Sequence, residues 1–345
     1  MLKKIISFFL VAIFCSSFLT SCKQTKKNVV ETFEYFDTYS TLTVYSDVEN
    51  FEIYQKEFFQ TLDKYHKLFD IYHSYDDIIN LKDINEKAAI SPVKVSDELF
   101  SALEFGKEAY KLTLGKCNIA IGSLSSIWHD IREKASSSNE EITLPTEESL
   151  KSALNHIDIN SLVLDSEDKT VFFNDSSLSL DFGSIAKGYV ASLLYNSLLS
   201  LECESFLINL GGNTVSHGRK PDNSFWNAIV ENPFDSKELG YNNIISLNDS
   251  TLVTSGTYQR FFTYNDKNYS HIIDPENGYP SDRFTSVSVF ADSSLSGEAD
   301  ALSTALLCMS YEDGEKLISS LDGFSALWIF NDGSYKISIG FGGAK

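Results

Sequence analysis

The run Gly297-Glu298-Ala299-Asp300-Ala301-Leu302-Ser303-Thr304-Ala305 sets a carboxylate and a hydroxyl four residues apart in a stretch whose composition predicts helix. Residues at i and i+4 share one helix face, so Asp300 and Thr304 would aim two hard oxygen donors at one point. Such a pair suits a magnesium-like ion that keeps some water and takes its other ligands from substrate phosphates. The pair also has a plainer reading. An acid in a first helical turn offsets the helix dipole, and a threonine one turn on is ordinary packing.

Four further segments carry chemistry. In Leu180-Asp181-Phe182-Gly183-Ser184-Ile185-Ala186-Lys187-Gly188-Tyr189, Gly183 lets backbone approach a ligand closely and the start of the following helix offers free N–H groups to a phosphate. Lys187 adds one positive charge there, or is simply a solvated helical lysine. Asn209-Leu210-Gly211-Gly212-Asn213 ends an apolar strand with paired glycines, the usual mark of a tight turn. Thr254-Ser255-Gly256 and Ser270-His271-Ile272-Ile273-Asp274-Pro275-Glu276-Asn277-Gly278-Tyr279-Pro280 follow. In this order and at these separations the segments resemble the ApbE family of FAD:protein FMN transferases, whose pattern runs L-D-x-G-x-I-A-K-G, N-x-G-G, T-S-G, H-x-I-D-P-x-x-G-x-P and A-D-x-x-x-T. A thinner likeness extends from about Phe36 to the C-terminus.

The resemblance implies an Mg2+-dependent enzyme that takes FAD as substrate, passes its FMN phosphoryl to a Ser/Thr hydroxyl of a client and releases AMP. It implies that Ala186, through its backbone carbonyl, joins Asp300 and Thr304 on the metal. Asp181, Gly183, Lys187, His271 and Ile272 are implied to contact the flavin nucleotide. An imidazole with an ordinary pKa of about 6.5 can take the proton of an attacking hydroxyl, and His271 is the expected general base. Asn85 matches a position on the adenine side of the family's pocket. Cys117 to Trp128 aligns with F-D-x-T-x-G-P-L-x-x-x-W, which places Asn118, Ile119 and Ala120 against the flavin; here Asn118 stands for the Asp, Ala120 for the Thr and Ser123 for the Pro. The implied clients are flavin-carrying subunits of membrane redox complexes. Since no D-G-x-[ST]-x-[ST]-[AT] acceptor motif occurs in the chain, it is expected to modify others and not itself. Other readings are an FAD pyrophosphatase releasing FMN and AMP, a non-catalytic FAD-binding lipoprotein, and an unrelated solute-binding lipoprotein.

These residues need a frame. Leu42 to Tyr45 reads as a strand. Phe51, Tyr54, Phe58, Leu62, Tyr65 and Phe69 recur at three- and four-residue steps, which predicts an amphipathic helix with an aromatic core stripe. A second helix is predicted over about Ser96 to Leu114. Strand-like runs (Ser161 to Leu164, Thr170 to Phe173, Ser205 to Ile208, Trp226 to Val230, Thr285 to Ala291, Ala326 to Phe330, Tyr335 to Ile339) then alternate with helices near Ile185 to Leu199, Gly297 to Met309 and Glu312 to Leu321. Mixed strands and long helices make the fold class α+β. The resemblance implies a T-fold-like (tunnelling) ApbE architecture with an added α/β part.

At the N-terminus, Lys3 and Lys4 precede an apolar run, Ile5 to Phe14, and Leu19-Thr20-Ser21-Cys22 reads as a lipoprotein cleavage box. Residues 1–21 are therefore expected to be a signal peptide, Cys22 to be lipidated, 22–30 to be lipid site and tether, and 31–345 to be the transferase domain. The expected location is the outer face of the cytoplasmic (inner) membrane, toward the periplasm or cell exterior, held by acyl chains contributing about 0.8 kcal/mol per buried methylene. Removing residues 1–21 leaves 26 basic against 48 acidic side chains, a net charge near −22. That surface repels nucleic acid and also an anionic nucleotide, so a cation has to supply local attraction for phosphates. Cys117, Cys203 and Cys308 show no C-x-x-C spacing and read as buried small hydrophobes.

Overall fold

The computed structural model describes residues 25–137, 142–234 and 243–343. The leader and Cys22 lie outside the described residues.

The chain opens with strands β1 (Lys26–Thr32) and β2 (Ser40–Ser46), then helices α1 (Val48–Phe69) and α2 (Leu81–Lys87). β3 (Val93–Lys94), α3 (Asp97–Leu112), α4 (Gly122–Ser136), α5 (Glu147–Leu154), β4 (Leu162–Asp165) and β5 (Thr170–Phe173) follow. After α6 (Ala186–Ser200) come β6 (Phe206–Leu210), β7 (Asn213–His217), β8 (Trp226–Ile229), β9 (Ile244–Leu247) and β10 (Ser250–Gly256). β11 (Phe261–Tyr264), β12 (Lys267–Ser270), β13 (Ser286–Asp292), α7 (Ser296–Leu307), α8 (Tyr311–Ser320), β14 (Ser325–Ile329) and β15 (Tyr335–Ile337) complete it.

Eight strands form one antiparallel sheet in the order β1-β2-β6-β7-β10-β13-β14-β15. Both faces of its centre are covered. Val253, Val287, Val289, Ala326 and Trp328 point into the main core with Phe58 and Leu62 of α1, Val190 and Leu194 of α6, and Leu302 and Leu306 of α7. Their alternates Leu252, Leu327 and Ile329 point the other way, onto Trp226, Ala228 and Leu247 of the β8–β9 ribbon. Side chains alternate across a strand, so a strand covered on both faces buries both sets of alternates, as β14 does along its whole length. Helices laid on an antiparallel sheet give the α+β class that the sequence predicts.

The aromatic stripe behaves as its spacing requires: Tyr54, Phe58, Leu62, Tyr65 and Phe69 are all buried on α1, which Asp47 caps by accepting from Asn50 N–H. Cys117, Cys203 and Cys308 are free and buried. One boundary differs from expectation. Lys26–Thr32, five of its seven residues in the stretch read as tether, is the sheet's edge strand and pairs with β2 along its whole length. Val30 and Thr32 turn inward there while the charged residues face out, a pattern of alternation that the basic start at Lys23, Lys26 and Lys27 obscures.

Candidate active site

α7 is buried at ten of its twelve residues. A helix apolar on every side belongs in a core, so a carboxylate inside it requires a partner. Asp300 is 2 % exposed and takes part in none of the ion pairs among the described residues. One of its oxygens accepts the Gly188 N–H at 2.7 Å. That N–H belongs to the first turn of α6, where no capping side chain precedes the helix, so Asp300 caps α6 from a neighbouring helix and meets its positive end. The contact is possible because residue 188 is glycine. A Cβ there would lie 2.3 Å from Asp300 Cβ and 2.5 Å from Ser296 O. Burial still pushes the Asp300 carboxyl above its ordinary pKa, against the opposing pull of Lys187, the Gly188 N–H and the Asn213 amide.

Two other segments close on the same spot. Leu210 pairs with Asn213 across a two-residue turn in which Gly211 and Gly212 both have positive φ, +55° and +92°. Paired left-handed residues make the turn whose twist suits a hairpin, which explains the double glycine and delivers Asn213 to Asp300. Asn213 is 1 % exposed and its Oδ1 has no partner among the described residues. The end of β10 brings Ser255 Oγ to 2.7 Å from Ser303 Oγ and 3.3 Å from Thr304 Oγ1. A buried carboxylate with no ion-pair partner, an orphaned amide oxygen and a threonine hydroxyl are hard oxygen donors that fit a divalent cation such as magnesium, and Ala186 opens α6 on the turn that binds Asp300. Among the described residues no three His, Cys, Asp or Glu side chains cluster as a metal site, so such an ion would draw on hydroxyl, amide or backbone oxygens, substrate and water.

His271 follows β12. Its Nδ1 lies 3.1 Å from the Arg260 carbonyl. A carbonyl only accepts, so Nδ1 carries the proton and Nε2 keeps its lone pair. The ring is only partly open to solvent, and desolvation, with smaller contributions from Lys187, Arg260 and Arg132, brings its pKa down to about 4. The sequence-based expectation of about 6.5 is thereby corrected. Lys187, Arg260 and Arg132 form none of the ion pairs among the described residues. Unpaired cations around a neutral imidazole, on a strongly acidic protein, make a local anion site. Arg260 is fixed by donating to the Asp37 carbonyl at 2.5 Å. Sequence reading missed Arg260 and Arg132 because a lone arginine in a loop or on a helix carries no spacing signal.

The ApbE family model matches residues 36–328. The chain belongs to the ApbE family. Among curated relatives, the FAD:protein FMN transferase of Treponema pallidum is 31 % identical over 271 residues, covering 74 % of this chain and 72 % of its own. The protein of the same name in Klebsiella pneumoniae is 29 % identical over 278 residues, covering 76 % and 81 %. The crystal structure of the ApbE protein of Thermotoga maritima superposes with a TM-score of 0.80 at 24 % identity, over 92 % of this chain and 98 % of that one. The Vibrio cholerae flavin transferase ApbE gives 0.76 at 23 %, over 91 % and 97 %. At those identities the structures establish the ApbE fold.

The ApbE motifs are thus gathered at one place, but not every residue expected to touch ligand offers it a free side chain. Asn85 is engaged at both ends by the Leu180 backbone, donating to its carbonyl at 3.0 Å and accepting its N–H at 2.7 Å; it positions the loop that leads to Asp181. Asn118 is 4 % exposed, donating to the Ile157 carbonyl and accepting from Ala120 N–H. Ile119 and Ala120 are fully buried and Ile272 is 6 % exposed, so their side chains are core and only their backbone is left for contacts. The Ile119 carbonyl instead accepts Asp181 N–H at 2.8 Å, which keeps this loop beside the Asp181 turn. Asp181 accepts Gly183 N–H and the Ser125 hydroxyl. Gly183 is exposed at the tip of that turn.

Proposed function

We propose that this protein is an FAD:protein FMN transferase. The observation that carries the reading is the convergence, through Lys187, of a neutral His271 with a bare Nε2 and a buried Asp300 that has no ion-pair partner; the names of the curated relatives support it. Lys187, Arg260 and Arg132 receive the pyrophosphate, and Asp300, Thr304 and the Ala186 carbonyl would hold Mg2+, which when bound would supply charge neutralisation. The client hydroxyl attacks the FMN phosphorus and its proton passes to His271 Nε2. A new P–O ester bond forms, the P–O–P linkage breaks and AMP leaves. Positioning and charge neutralisation are what such phosphoryl transfer asks of a protein.

The clients are flavin-carrying subunits of membrane redox complexes, and the enzyme is anchored through lipidated Cys22 to the outer face of the cytoplasmic membrane. The acidic surface, with its local cationic site, supports a nucleotide substrate over nucleic acid. The test is to incubate the protein starting at Lys23 with FAD, Mg2+ and a client domain and weigh the client. A covalent FMN mass is the expected outcome. Free FMN and AMP with an unlabelled client would make the protein a pyrophosphatase, and unchanged FAD would make it a binder.

A further inference from the structure

Three hydroxyls and one carbonyl around Asp300 form a chain whose proton direction is fixed. Ser303 Oγ lies 2.9 Å from the Asp300 carbonyl, and since a carbonyl only accepts, the single Ser303 proton points there. The 2.7 Å contact between Ser303 and Ser255 then requires Ser255 to donate. Its proton committed, Ser255 can only accept in the 3.3 Å contact with Thr304. Thr304 has no other hydrogen-bond partner among the described residues, so the order is Thr304 to Ser255 to Ser303 to the Asp300 carbonyl.

We infer that Ser255 is a positioning residue that draws the Thr304 proton away from the metal site, so that Thr304 presents only lone pairs to a divalent cation. The inference rests on the metal reading given above. Without Ser255 no hydrogen bond among the described residues fixes the Thr304 hydroxyl, and each orientation that aims its proton at the ion opposes binding. Ser303 acts one step further back. It is fully buried in α7, and its own bond to the Asp300 carbonyl keeps Ser255 from reversing.

The test is titration of the metal-free protein with Mn2+ alone, followed by electron paramagnetic resonance, with circular dichroism to verify the fold. Ser255→Ala should weaken binding about three- to tenfold, the scale of one net hydrogen bond. Ser255→Thr, which keeps the hydroxyl, should restore it, and Ser303→Ala should weaken it in the same direction because Ser255 is then free to donate to Thr304. Asp300→Asn serves as the control that removes the charged ligand. Equal Mn2+ affinity in wild type and Ser255→Ala, with Asp300→Asn impaired, overturns the inference and leaves the metal reading standing. A wild type that binds no Mn2+ overturns both.

Discussion

At the scale of single residues, the proposed chemistry turns on an imidazole that is neutral for structural reasons. His271 donates through Nδ1 to the Arg260 carbonyl, and desolvation together with three cations brings its pKa to about 4. A base is lost as pH falls through its pKa, so in the free protein His271 stays competent from pH 8 down to about 5. Bound pyrophosphate offsets Lys187, Arg260 and Arg132, which raises the pKa of the ring in the complex and brings it closer to the operating pH that general-base catalysis favours. Two acid limbs are therefore expected. That of kcat/KM, which reports the free protein, should lie near pH 4, and that of kcat, which reports the complex, should lie higher. His271→Asn should keep FAD binding, read by flavin fluorescence, and lose transfer by about 100-fold or more. A kcat/KM break at 6.5 would show a solvent-like imidazole, and wild-type turnover in the variant would reduce His271 to packing.

At the scale of elements, the site exists because α6 and α7 touch where Gly188 meets Asp300. Gly188→Ala should force the helices apart and lower the unfolding free energy by about 1–3 kcal/mol, the usual cost of an added methyl group in a packed core. Gly183→Ala is the contrasting change: its Cβ would meet only Asp181 Oδ1, at 3.2 Å, on an exposed turn. Equal denaturant midpoints for the two variants would refute the argument. These elements were unequally legible. The α1 stripe and β13, where Val287 and Val289 alternate with serines, follow their periods, so Phe51 to Phe69 and Thr285 to Ala291 are readable from spacing alone. β10 is not. Ser250-Thr251-Leu252-Val253-Thr254-Ser255-Gly256 looks polar, yet it is an interior strand whose hydroxyls find partners across the sheet, as Thr251 does on the Thr214 carbonyl and Thr254 on Ser288. Likewise the ApbE pattern singles out Asn118 and Asn85 as nucleotide contacts, but only the fold shows their amides turned inward onto backbone. Sequence pattern reports position; hydrogen-bond partners decide what a polar side chain is free to do.

At the scale of the whole molecule, charge and the proposed anchoring act together. A chain with net charge near −20 is repelled by an anionic bilayer at distances within a Debye length, about 8 Å at physiological salt. Yet β1 begins at Lys26, so only three residues separate Cys22 from the sheet. At about 3.5 Å per extended residue, four steps of chain reach at most about 14 Å. Under the lipoprotein reading proposed here, acyl chains at Cys22 therefore hold an acidic body close to the surface that its net charge opposes. Lys23, Lys26 and Lys27, beside the proposed point of attachment, are the local exception to that charge. Without lipid, three lysines at about 1 kcal/mol each cannot retain such a body. Cys22→Ser should accordingly shift the protein from the detergent phase to the aqueous phase, or leave an uncleaved precursor of higher mass, while transfer to a soluble client domain by the isolated protein stays at the wild-type rate. Unchanged detergent partitioning of a cleaved Cys22→Ser protein would place the membrane attachment elsewhere, and a loss of transfer in solution would mean that residue 22 matters to the fold itself.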